Sequence, residues 1–173
     1  PSYLKFRAVE VIARVPYHSW VSVEYTLLTL FYTNARRAML LSKTAQFARI
    51  AQDNETMHVI VISELAEGEG RAGFIRYTLI PMLFAFVYFW LSYVLYLLTP
   101  RYSYELNYLF ESHAHEQYSL FLAREGEALK QKKVTSHFLS WYGRFPEHQY
   151  AFFESVCIDE LIHRNQSIEH LEH

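Results

Sequence analysis

Glu55-Thr56-Met57-His58 and Glu160-Leu161-Ile162-His163 repeat one pattern, Glu-x-x-His. On a helix, residues three apart share a face, so each pair can offer a carboxylate and an imidazole to one metal ion. With 16 Glu and 9 His in the chain, chance supplies roughly 0.8 such pairs. The flanks make the pattern more specific. Val59-Ile60-Val61-Ile62 follows the first pair, and Phe152, Phe153, Val156, Cys157 and Ile158 precede the second. Ionised groups in such apolar helices are costly unless paired or bound to a cation. Two further carboxylates sit in apolar settings, Glu10 within Ala8–Ile12 and Glu111 after Tyr108-Leu109-Phe110. Two lone Glu and two Glu-x-x-His pairs, one contribution per helix, make the ligand set of a di-iron carboxylate bundle. Four carboxylates offset two divalent cations, and hard oxygen donors with imidazole suit iron or manganese. Two irons together can hand O₂ several electrons. Tyr118 follows Glu111 by seven residues, two turns along the same face, where a phenol could supply an electron and a proton. On spacing alone, a packed core Tyr is the plainer reading of that residue.

These side chains need long helices, and the composition supplies them. The chain has 173 residues, 51% apolar and 17% aromatic, with five Gly and five Pro. That excludes disorder and a turn-rich all-β fold and fits one all-α domain, residues 1–170. Cys157 is the sole cysteine, which excludes an internal disulfide and a cysteine zinc site. A net charge of −2 argues against nucleic acid as a partner. Leu171-Glu172-His173 reads as the stub of a polyhistidine tag.

Turn signals divide the chain into two hairpins. A first helix, Tyr3 to about Tyr32, is kinked by Pro16 and ends at Thr33-Asn34. A second runs to about Glu67 and stops at Gly68-Glu69-Gly70. A third spans about Ser103 to Leu129, Lys130–Ser136 is a loop, and a fourth starts near Pro146 and runs to about Glu169. Each hairpin turn lies midway between its ligand positions, so six side chains meet at one level. Tyr77–Pro100 joins the hairpins with no charged side chain. As a helix it is roughly 36 Å long, enough to return the chain by one bundle length or to cross a bilayer. Gly68, Gly70 and Gly73 spell GxGxxG, but a helix precedes them and Glu69 would repel phosphate, so they read as a helix-breaking turn.

Four elements in order resemble those of the alternative oxidase family, closest to its plastid-type terminal oxidase branch. They are Glu10-Val-Ile-Ala-Arg-Val-Pro-Tyr17, Asn54-Glu55-Thr56-Met57-His58, Glu111-Ser-His-Ala-His-Glu-Gln-Tyr118 and Asp159-Glu160-Leu161-Ile162-His163. The resemblance runs from about Lys5 to Ile168. It implies a ferritin-like four-helix bundle with an added membrane-facing helix, and two irons held by Glu10, Glu55, His58, Glu111, Glu160 and His163. It implies Tyr118 as the redox-active tyrosine, and Asn54 and Asp159 as residues behind the ligands. The family oxidises quinol and reduces O₂ to water without pumping protons. Its members are homodimers embedded in one leaflet, so Tyr77–Pro100 is expected to lie in the membrane plane, its Tyr and Trp at the interface.

Lys5 stands where the family usually has Arg, and Gln117 where Thr usually precedes the Tyr. With Ala114 they are the expected quinol contacts, and both changes bear on quinol type. Glu116, His113 and His115 are candidate proton carriers. The Glu10-to-Glu55 interval is about six residues longer than usual, which predicts a longer connection around Asn34–Lys43. Arg36, Arg37 and Lys43 there could meet anionic lipid headgroups. Too few residues precede Glu10 for the family's further membrane-facing helix, so a truncated or reduced N-terminus is expected. Two other readings share the residues: a di-iron oxygenase or hydroxylase of a quinone or lipid, and an iron-storage bundle. The long apolar segment weighs against a soluble storage shell.

Overall fold

The computed structural model describes residues 2–68 and 73–172. Among these residues every regular element is helical: α1 Tyr3–Ala13, α2 Val15–Phe31, α3 Ala35–Glu67, α4 Ile80–Leu98, α5 Pro100–Lys130, α6 His137–Tyr142 and α7 Gln149–Glu172. A π-helical turn, Ile75–Leu79, leads into α4. The dismissed Gly-x-Gly turn lies partly outside the described residues.

Sequence explains the breaks. Pro16 lacks the N–H that would bond the Ile12 carbonyl, and its ring presses on that carbonyl, so the helix breaks at Arg14 and restarts with Pro16 in its first turn. Asn34 caps α3 by accepting from the Arg37 N–H at 3.1 Å. Residues 35–43 are therefore helix. The extra residues between Glu10 and Glu55 lengthen α2 and α3 into a projecting arm and do not lengthen the loop, correcting the expected connection around Asn34–Lys43. Thr99 interrupts the chain between α4 and α5, and Pro100, needing no N–H partner, opens α5 three residues earlier than expected.

Helices α1 and α2 pack on α3, and α5 packs on α7, giving two antiparallel pairs. Helix α4 lies across α1, α2 and α5. It buries Pro81, Ser92 and Tyr96 and leaves most of its apolar side chains exposed. Polar bonds tie its inner face down: Ser19 donates to Ser92 at 2.7 Å, Tyr96 to Glu24 at 2.8 Å, and Thr26 meets Tyr93 at 3.0 Å.

Two apolar clusters form the core. One gathers Tyr3, Phe6, Val61, Ile62, Phe121 and Phe153; the other gathers Tyr17, Trp20, Phe47, Ala51, Tyr96 and Tyr104. On α1/α2, α3 and α5, the predicted ligand positions fall between the stretches that feed the two clusters. Leu171 packs against the second cluster as part of α7.

Short helix α6 was not expected within the last connection, and α7 starts at Gln149, three residues beyond Pro146. Ser136 caps α6, accepting from the Leu139 N–H, and Gly143 closes it at φ +87°. That left-handed residue places Arg144 over α7. Gly143→Ala should cost about 1–2 kcal/mol through that backbone conformation alone, measurable as a lower Tm and denaturation midpoint.

Candidate metal centre

The carboxylates and imidazoles converge as their spacing predicts. Glu10 comes from α1, Glu55 and His58 from α3, Glu111 from α5, and Glu160 and His163 from α7. All are essentially excluded from water. Two overlapping groups form, Glu10/Glu55/His58/Glu160 and Glu55/Glu111/Glu160/His163, with ligand atoms in each within 4.8 Å of one another. Glu55 and Glu160 belong to both, so each half adds one Glu and one His to a shared pair. His58 Nδ1 lies 3.6 Å from Glu10, 3.6 Å from Glu55 and 3.4 Å from Glu160, and His163 Nδ1 lies 3.0 Å from Glu55.

The donor set fits two cations. Both oxygens of Glu55 and Glu160, Oε2 of Glu10 and Glu111, and Nδ1 of both histidines are buried without a hydrogen-bond partner. Interiors rarely leave so many acceptors unmatched, because each costs its desolvation. Without cations, protons must substitute. Burial raises Glu10, Glu55 and Glu111 above the usual carboxylate range and lifts Glu160 to about 7. Burial also lowers His163. For His58, burial works downward, but nearby Glu55, the bond to Asp159 and the closeness of Glu10 and Glu160 outweigh it and raise the imidazole well above its usual value.

A second layer of side chains orients this cage. His58 Nε2 bonds Asp159 Oδ2 at 3.0 Å, which turns Nδ1 toward the carboxylates. Arg144 grips the same Asp159 with both guanidinium nitrogens, at 2.5 and 2.9 Å. Burial alone would raise Asp159; His58 and Arg144 instead hold it at about 2, permanently ionised. Asn54 accepts from the Tyr142 hydroxyl. Tyr118 donates to Glu10 Oε1, as its place two turns from Glu111 allows.

Tyr17 was missed. Its hydroxyl donates to Glu111 Oε1 at 2.6 Å and accepts from Asn107 at 2.8 Å. The signal was available: Tyr17 follows Glu10 by seven residues, as Tyr118 follows Glu111. Each tyrosine bonds the other's glutamate, because α2 and α5 run antiparallel. Arg144, Tyr142 and Asn107 carry no comparable signal, since their roles depend on α6 and on cross-helix contacts.

Beside the cage, a cavity of about 210 Å³ opens between α1 and α5. Lys5, Phe6, Val9, Ala114, Gln117 and Tyr118 line it, and Glu10 reaches it. The three residues expected to contact a substrate, Lys5, Ala114 and Gln117, thus share one wall with the tyrosine. His113 also lines it, Glu116 is exposed, and His115 Nδ1 lies 3.0 Å from the Cys157 carbonyl oxygen.

A four-helix bundle that buries two Glu-x-x-His pairs and two more glutamates belongs to the class built around di-metal carboxylate centres. Within that class, residues 3–169 match the Alternative oxidase family, and the chain belongs to it. Ubiquinol oxidase 4, chloroplastic/chromoplastic, of Arabidopsis thaliana is 33% identical over 141 residues, covering 82% of this chain and 37% of that protein. The chain therefore spans little more than a third of that relative's length. No solved structure matches it.

The cage predicts an unusual pH response. Glutamates raised in the folded state, from 4.5 to about 7 for Glu160, stabilise the metal-free fold while protonated, and that stability is lost as pH rises through the folded values. His58 acts in the same direction; His163, lowered by burial, acts oppositely below its ordinary 6.5, and Asp159 matters only between its ordinary 3.8 and about 2. The Tm of chelator-treated protein should fall between about pH 5 and pH 8, and ferrous iron should raise it more at the upper end. A metal-free Tm that climbs over this range would contradict the buried cage.

Proposed function

We propose that this chain is a di-iron quinol oxidase, oxidising quinol and reducing O₂ to water without pumping protons. The supporting observation is the adjacency of two features: a cage of unmatched buried donors, and an apolar cavity touching its Glu10 and Tyr118. Glu10, Glu55, His58 and Glu160 would hold one iron, and Glu111 and His163 with the same Glu55 and Glu160 the other. Iron bound there supplies the multi-electron reduction of O₂ that side chains cannot perform.

The chain's own residues handle substrate and protons. Phe6 and Val9 keep water from a quinol ring in the cavity. Lys5 and Gln117 offer donors to its oxygens, and Lys presents a point charge where the family's Arg has a planar fork. Tyr118 separates cavity from cage. Burial and neighbouring Glu10 push its phenol well above the usual range, so it holds its proton on Glu10 Oε1 until an electron leaves. His113 at the cavity wall is placed to take a quinol proton outward. Asp159 and Arg144 keep His58 from turning. The exposed apolar face of Ile75–Leu98 rests in one leaflet, parallel to the membrane plane, since its other face is committed to α1, α2 and α5. A second copy completes a homodimer, as in the resembling family.

Glu111→Ala should bind fewer than two irons per chain and lose quinol-dependent O₂ uptake. Tyr118→Phe should retain iron and cut turnover by about 100-fold or more, a loss typical of removing a proton-transfer group. Uptake that persists after iron removal, or oxygen atoms from O₂ appearing in the quinone product, would overturn the oxidase reading.

A further inference from the structure

The two tyrosines bonded to the cage have opposite surroundings. The Tyr118 ring is stacked on Phe6 at 4.5 Å and faces Phe153 at 6.2 Å. Phenylalanine is not oxidised at potentials that oxidise tyrosine or tryptophan, so Tyr118 is electrically insulated. Tyr17 instead meets Trp20 at 5.2 Å. Trp20 stacks on Tyr96 at 5.3 Å and meets Tyr104 edge-on at 5.0 Å. None of these four rings is more than 5% exposed.

Proton acceptors accompany this column. Tyr17 donates to Glu111, and Trp20 Nε1 donates to Ser103 at 2.8 Å. Tyr96 donates to Glu24 at 2.8 Å and lies 2.9 Å from the Tyr104 hydroxyl. Glu24 is 3% exposed, and its Oε2 has no hydrogen-bond partner. Glu24, Tyr96, Tyr104 and His170 line a second cavity of about 560 Å³, at the end of the bundle away from the proposed quinol pocket.

We propose that Tyr17, Trp20, Tyr96 and Tyr104 form a one-electron conduit between the Glu111 side of the cage and this second cavity, with Glu24 as its proton acceptor. The conduit rests on reading the cage as a centre that reduces O₂. When no quinol is bound, Tyr17 would lose one electron to the oxidising chemistry that iron would supply in the cage, its phenolic proton moving to Glu111. Trp20 gives an electron to the Tyr17 radical, which recovers that proton. Tyr96 gives an electron to the Trp20 radical cation and its proton to Glu24, and Tyr104 shares the resulting radical through the phenol–phenol bond. A small soluble reductant, a thiol or an ascorbate-like enediol, supplies one electron at the cavity. Tyr96 then recovers the proton from Glu24, and the reductant's own proton goes to water. One electron has crossed the bundle, and no side chain is consumed. The conduit spares the ligands from oxidation during substrate-free turnover.

Two experiments test it. Protein loaded anaerobically with ferrous iron is exposed to O₂ without quinol, and oxygen adducts are mapped by peptide mass spectrometry. Wild type should carry adducts on Trp20, Tyr96 and Tyr104. Trp20→Phe, which keeps an aromatic ring, should lose those on Tyr96 and Tyr104 while iron content is unchanged. Adducts on Tyr96 and Tyr104 that survive Trp20→Phe overturn the conduit. The second experiment uses metal-free protein and a photogenerated ruthenium polypyridyl oxidant in solution. Oxidation should reach buried Tyr17 in wild type and fail to do so in Trp20→Phe, or in the double variant Tyr96→Phe/Tyr104→Phe should the tryptophan variant misfold. Success here, with no adducts in iron-loaded wild type, rejects the oxygen-reducing cage and leaves the conduit standing. Equal Tyr17 oxidation in wild type and variants rejects the conduit itself.

Discussion

Four carboxylates and two imidazoles sealed in an apolar bundle form the interaction on which this structure depends. Desolvating them costs several kcal/mol per ionised group, and neighbouring glutamates repel. Among the described residues, the Arg144–Asp159–His58 chain is the one compensation that carries a paired charge. It satisfies one imidazole and none of the glutamates. Glu55 and Glu160, at the centre of the set, have no hydrogen-bond partner on either oxygen. A bundle built only for stability would carry apolar residues there. The arrangement is sensible as a cation cage, in which two positive ions replace the protons that the metal-free carboxylates must retain.

That constraint also accounts for the two-part core. Apolar clusters above and below the cage supply the burial that offsets its cost, roughly 1.5–3 kcal/mol for each large side chain. The break at Arg14 follows Glu10 directly, so α1 presents the ligand and α2 can follow a new direction against α4. Helix α4 has two tasks in one sequence. Its inner face carries Ser92, Tyr93 and Tyr96, bonded to α2, and its outer face is nearly all apolar. A helix fully inside protein or fully surrounded by lipid would have no use for that division.

Much of this was legible because helical spacing is rigid. Glu-x-x-His needs no tertiary information to place two ligands on one face, and hairpin symmetry about Thr33-Asn34 needs only equal arm lengths. Local signals were less reliable where two answers met the same need. The extra residues before Glu55 could extend a loop or two helices, and a helix-compatible sequence capped by Asn34 decided for the helices. Pro146 suits a helix start, yet α7 begins later, because Gly143 and the preceding α6 take up the connection first. Arg144 was illegible for the same reason. Its partner Asp159 is in view of the sequence, but the turn that aims it is a product of the fold.

Tyr17 and Tyr118 show how one spacing can yield two environments. Both follow a glutamate by seven residues, and antiparallel helices cross-link them to each other's glutamate. The local geometry is nearly symmetric, but the second layer is not. Phenylalanines pack on Tyr118, next to the smaller cavity, where the proposed oxidase would need a radical to persist until it meets a substrate. Indole and phenols continue outward from Tyr17, which is itself part of the second cluster. Packing alone would accept phenylalanine at Tyr96 and Tyr104, yet their hydroxyls are kept in the interior, Tyr96 bonded to buried Glu24 and Tyr104 to Tyr96. Retaining polar groups there costs stability that a purely structural column would not give up, so the asymmetry is best understood as chemistry divided between two sides of one cage.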